Sequence, residues 1–372
     1  MSDDLKPSRL LSRLEAEIAG ARTQVEADCK RAERAAYLVR VGRFDEARAE
    51  VGELQDAYAS SPNARISSWV HLVVGLVEHF RDMNPKAYDR ILRAFALSSA
   101  ANLVQLKALS AAWLAQMDYL RGDPDSMVKR ASESLRIAEK DDHAARARAA
   151  LVIAQAYHLA GRIDLALPWY GQVRIHASAD GDEATLSALM HNMAWLRGQR
   201  LRMTGWLQTE SGVDEGHALL GAESVANFDA MIGSTSLSAL VPVLRAQICA
   251  AEGRFGEALA FYEASLETAV REGMGRLQAD LVADQAWCRV NLGQTERSLA
   301  DAMVAEAHID PRGYLDDRAM AHGRLAQVFA RLGDIDRATR HRDSALAAFA
   351  GHEAHQSEIL RLLQECAETR SR

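Results

Sequence analysis

The stretch AEGRFGEALAFYEASL, residues 251–266, carries the pattern that decides the fold. Its frame returns as VGRFDEARAEVGEL (41–54), as AGRIDLALPWYGQV (160–173) and as LGDIDRATRHRDSAL (332–346). Each copy sets a turn between two segments of helical periodicity. Anchored on that turn, the units fall at Gly42, Asp82, Gly122, Gly161, Thr204, Gly253, Gly293 and Gly333, spaced by about 40 residues with one longer step after Thr204. Ahead of the turn lies a small residue: Ala35, Gly75, Ala115, Ala154, Ala246, Ala286 or Ala326. Behind it lies another: Ala47, Ala87, Ala166, Ala258, Ser298 or Ala338. Helices that cross at close range need small side chains where their backbones approach, and a turn glycine ends a helix in the left-handed conformation at little steric cost. Asp45, Asp164 and Glu257 then sit where the positive end of the next helix dipole favours an acid.

These residues resemble the tetratricopeptide repeat family. The fourth unit carries Ala154, Tyr157, Gly161, Ile163, Ala166 and Tyr170. The sixth carries Ala246, Gly253, Phe255, Ala258, Tyr262 and Ser265, and the eighth Ala326, Phe329, Gly333, Ile335, Ala338 and Ala345. The match runs roughly over residues 22–350. The long period is similar to the long-helix subtype of kinesin light chains and of bacterial signalling and peptide-receptor proteins. The resemblance implies an all-α fold: a right-handed α-solenoid of about eight helical hairpins, with an extended concave surface. A lead-in helix is expected at residues 8–18 and a capping helix after Gly351, with Ile359, Leu360, Leu363 and Cys366 on one face. The long step predicts two sub-arrays, 1–204 and 238–372, joined by an irregular segment 205–237 that holds five glycines and an exposed Trp206.

The totals agree with a helical, foldable chain of 372 residues: 48% hydrophobic, 26% charged, with only 23 Gly and 7 Pro. A formal charge of −7 argues against nucleic acid as a partner. MSDDLKPSRL has no basic region ahead of an apolar run, and no apolar tract is long enough to span a bilayer, so neither secretion nor a membrane partner is expected. Cys29, Cys249, Cys288 and Cys366 lie far apart without metal-ligand spacing and suit a reducing, cytoplasmic compartment. The Ala, Arg and Leu bias points towards a bacterial source.

No catalytic constellation stands out: there is no P-loop, nucleophile elbow or dinucleotide fingerprint. His352 and His355 lack a third ligand, and DGDE (180–183) lacks a calcium-loop pattern, reading instead as a helix start capped by acids. Trp113 and Trp195 share a unit position that suits core packing. The expectation is a protein with no enzymatic activity, cofactor or metal.

One pattern points to binding. In the family that these repeats resemble, the first helix of each unit lines the concave wall, and the position six before the turn faces the groove. Here that position holds Gln116, Gln155, Gln247 and Gln327. An amide both donates and accepts, so a ladder of them pairs with a peptide backbone. Trp69, His79, Tyr119, Arg148, His158, His191 and Trp287 map to the same wall. Arg148, with His158 and His191, suits a carboxylate or phosphate. The function expected is a non-catalytic adaptor or regulator that binds a protein or an extended peptide. The alternatives are a small-molecule or signal-peptide sensor, and a structural scaffold.

Overall fold

The structure, a computed structural model, describes residues 8–207 and 215–371. It is all-α, with no strand among the described residues. A lead-in helix α1 (Arg9–Ala19) precedes eight hairpins. These are α2 (Gln24–Arg40) with α3 (Phe44–Ala57), α4 (Ala64–Asp82) with α5 (Lys86–Ala100), α6 (Val104–Leu120) with α7 (Pro124–Ile137), and α8 (His143–Leu159) with α9 (Ile163–Asp180). Then follow α10 (Glu183–Leu207) with α11 (Glu215–Ile232), α12 (Leu240–Ala251) with α13 (Phe255–Arg271), α14 (Gln278–Asn291) with α15 (Thr295–Ala307), and α16 (Leu315–Leu332) with α17 (Ile335–Ser371).

The repeated turn is one hydrogen-bonded device. At the end of α8 the Arg162 N–H donates to the Tyr157 carbonyl at 2.9 Å and the Gly161 N–H to the His158 carbonyl at 3.0 Å. The same pair of bonds closes α2, α6, α12, α14 and α16, each around a glycine with φ between 68° and 87°. They satisfy carbonyls that the helix end would leave open. At the second anchor Met83 takes the left-handed position instead, with φ 51°.

The small residues mark the crossings. Ala35, Ala47, Ala154, Ala166, Ala246 and Ala258 are all fully buried. Ser298 donates its hydroxyl to the Ala286 carbonyl at 2.8 Å, so those two positions touch. A Cβ on Gly75 would come within 2.7 Å of Ile91 Cγ1 and 3.1 Å of the Ala87 carbonyl.

Three expectations change. Thr204 is not a turn, because α10 runs unbroken for 25 residues. Gly198, inside α10, serves close approach: its missing Cβ would meet Leu244 at 2.7 Å. The segment 205–237 is largely helical, being the end of α10 and all of α11; its residues 208–214 lie outside the described ones. Trp206 is half-buried, its indole lying over Gly323 and edge-on to Phe349. Finally, no separate cap follows Gly351, because α17 continues through it for 37 residues.

The chain divides into two compact units, and the division differs from the one expected at 204 and 238. The first comprises Met1–Leu189, Asn227–Ser236 and Glu358–Arg372; the second comprises Met190–Ala226 and Leu237–Ser357. In the first unit α1 packs Leu10 and Leu14 against Tyr37, Val41 and Ala184. The Leu10 N–H donates to the Gly181 carbonyl at 3.2 Å, and Arg13 pairs with Asp180 at 2.8 Å. The second unit has cores around Val282, Leu325 and Phe329, and around Leu201, Val225 and Leu244.

Candidate functional site

In the first unit, the residues mapped from the sequence fall on α4, α6 and α8, and of these Gln116, Gln155 and Arg148 are buried. A long-range contact lies close by. Arg40, on α2, donates to Asp182 Oδ2 at 2.6 Å and to Thr185 Oγ1 at 3.0 Å, bringing the first hairpin to the start of α10. Asp182 also accepts from the Thr185 N–H and hydroxyl, so it caps α10 as the acids of DGDE predicted. Burial alone would raise the Asp182 carboxyl, but Arg40 and Thr185 outweigh it and hold it below the usual carboxylate range.

Gln116 and Gln155 are each 6% exposed, and Gln155 Oε1 has no hydrogen-bond partner. Arg148 is 5% exposed and lies over Trp113, with Cζ 3.9 Å from the ring centroid. Phe80 meets the same indole edge-on at 5.8 Å. Burial, and then the nearby Arg40 charge, pull the Arg148 guanidinium down to about 9. Burial, reinforced by Arg148, takes the His79 imidazole down to about 4, so it is neutral at pH 7. His158 shares a hydrogen bond with the Tyr170 hydroxyl at 3.1 Å. Tyr119 and Trp69 are half-buried, Trp69 against the core of the first hairpins.

The remaining predicted residues belong to the second unit. Gln247 is fully buried, and neither atom of its amide has a partner. Gln327 accepts from Arg324 at 2.6 Å, and Trp287 lies under the same guanidinium at 5.4 Å. His191 is half-buried on α10.

The second unit also holds an ion network that the sequence reading missed. Arg202 is bidentate to Asp280 at 2.6 and 3.0 Å and reaches Asp284 at 2.8 Å. Arg324 and the Tyr262 hydroxyl both donate to Asp284, at 2.5 and 2.8 Å. Two guanidinium groups thus face two carboxylates, each charge balanced inside the fold. The signal was there: Asp280 and Asp284, two acids one helical turn apart, flank the apolar Leu281–Val282–Ala283 of QADLVADQA.

Among the described residues no group of His, Cys, Asp or Glu could hold a metal ion. Nor is any described helix long and apolar enough to cross a membrane.

The arrangement defines a class, an array of successive helical hairpins. The tetratricopeptide repeat profile matches residues 243–264 and 319–344. Among solved structures the chain is similar to the crystal structure of a Rap protein complexed with competence and sporulation factor. That likeness has a TM-score of 0.53 at 10% identity and covers 92% of this chain and 98% of that one. No curated protein matches the sequence. The profile thus places tetratricopeptide repeats in those two segments, and the likeness to the Rap structure shows a shared fold.

Proposed function

We propose that this protein binds a peptide, or an extended segment of a partner protein, on its inner helix faces and acts as a regulator or adaptor without chemistry of its own. The observation that carries the reading is the set of inner-face groups left without partners. Gln155 Oε1 in the first unit and both amide atoms of Gln247 in the second are buried without a hydrogen-bond partner. Buried polar groups are ordinarily hydrogen-bonded, and each exception costs about 1–3 kcal/mol. A backbone N–H and C=O brought by a peptide would satisfy an amide on both sides. The likeness to a Rap protein solved with a bound factor supports the same reading by analogy of fold.

The test is selection from a pool of random hexapeptides by the immobilised full chain, with retained peptides identified by mass spectrometry. Wild type is compared with a variant carrying Gln116→Leu, Gln155→Leu and Gln247→Leu. Leucine keeps most of the volume and removes the donors and acceptors. The expected result is retention by wild type, at least tenfold loss in the variant, and a melting temperature that does not fall. Equal retention by both proteins would sink the amide role. Retention by neither, with a thermal shift on adding a metabolite, would favour a small-molecule sensor.

A further inference from the structure

We propose, independently of the peptide reading, that the second unit carries a docking surface for a helix with an arginine and a tryptophan one turn apart, and that the end of α10 occupies this surface as a resident, displaceable ligand.

In an array of hairpins each unit ordinarily packs on its immediate neighbours. The first helix of the fifth hairpin reaches further. At 25 residues α10 is longer than the first helix of any other hairpin. Gly198, Arg202 and Trp206 follow one another on it at four-residue spacing and so share one face. Gly198 lies against Leu244 on α12. Arg202 pairs with Asp280 and Asp284 on α14. The Trp206 indole covers Gly323 on α16. These contacts keep a common register. Leu244, Asp284 and Arg324 each stand three residues before Gln247, Trp287 and Gln327, which the repeat pattern assigns to the inner wall. One face of α10 therefore meets hairpins six, seven and eight in chain order, as a helix laid into a groove would.

The surface selects its occupant by charge and shape. Asp280 and Asp284 offer two carboxylates, and a guanidinium fork reaches both, with Arg202 at 2.6 and 3.0 Å from the first and 2.8 Å from the second. An acid at that place would face two like charges. Gly323 makes room for an aromatic ring, because a Cβ there would come within 2.5 Å of Trp206 Cδ2. Phe349 then meets the indole edge-on at 6.1 Å.

The resident helix leaves polar groups unsatisfied. Trp206 Nε1 is buried without a hydrogen-bond partner, and so are both amide atoms of Gln247, one turn beyond Leu244. Release of α10 returns the indole N–H to water, which lowers the cost of opening. A partner helix with the same two side chains can then take its place.

The probe is a fluorescent peptide copying residues 194–207, and its control carries Arg202→Gln and Trp206→Ala. Both are titrated against the full-length protein and its Trp206→Ala variant, which keeps Arg202 between the two carboxylates. Wild type should bind the probe at least about tenfold more tightly than the control. The variant, whose own α10 is held less well, should bind the probe more tightly still. Saturating probe should also speed hydrogen exchange at residues 199–207 of wild type. The wild-type measurements need no variant to fold. Equal binding of probe and control overturns the surface, and so does binding of the probe by neither protein. Probe binding that leaves exchange at the end of α10 unchanged overturns the resident role. The hexapeptide selection stands or falls apart from these outcomes.

Discussion

Asp317 shows what burial does to a single carboxyl in this chain. It is largely buried, and desolvation pushes it up to about 8 although Arg276 lies 3.3 Å away. In the unfolded chain an aspartate titrates near 4. Between those values the folded protein keeps a proton that the unfolded chain has released, so stability falls as pH rises from about 4 to about 8. Asp118 and Asp142, both raised by burial to about 6, add the same sign at lower pH. His79, lowered by burial to about 4, works the other way and loses stability as pH falls below its ordinary value. Asp317→Asn should flatten the decline in melting temperature between pH 6 and pH 8. Parallel profiles for the two proteins would remove Asp317 as its cause. None of these shifts was legible in the sequence, because a shifted carboxyl depends on what packs over it.

At the scale of the element, much was legible. The six turn glycines and the small residues at the crossings are local signals; each of those glycines takes the left-handed backbone, and of the small residues all but Ala326 are buried. Gly75 makes the point without any unusual backbone. It sits inside α4, where alanine would be the better helix former by about 1 kcal/mol. The approach of Ile91 and Ala87 leaves no room for the added methyl. Gly75→Ala should therefore lower stability by about 1–3 kcal/mol, read as the shift of a urea midpoint at constant slope. An unchanged midpoint would mean that the α4–α5 crossing can open. What local patterns could not supply was the burial of Gln116, Gln155 and Arg148. Nor could they supply the pairing of Arg40 with Asp182 across 142 residues of sequence. The misplaced fifth turn has a simpler cause. Thr204 was placed by the period alone, with no glycine at the anchor, and α10 runs through it to Leu207.

At the scale of the whole molecule, the chain returns to its first unit twice. Residues 227–236 and 358–372 belong to that unit although the intervening sequence builds the second. The Thr235 N–H donates to the Val41 carbonyl at 3.0 Å, and a Cβ on Gly42 would collide with Thr235 and Ser236. The Cys366 sulfur lies 2.7 Å from the Ser132 hydroxyl on α7. Cutting the chain after Ser357 should thus loosen the hairpins of α6 to α9 more than those of α12 to α15, which precede the cut more closely in sequence. Hydrogen exchange on the shortened protein reads this directly. Faster exchange confined to α14 through α17 would contradict the re-entry.

That re-entry bears on how such an array could have changed over time. Repeat proteins commonly lengthen by duplicating a unit at an end, where a new copy needs only one neighbour. Here α1 is fastened to Gly181 and Asp180, and the final turns of α17 are fastened to α7. An added hairpin at either place would first have to displace a segment already in use. Hairpins inserted at those two places should therefore be tolerated less well than insertions in the exposed turns between hairpins.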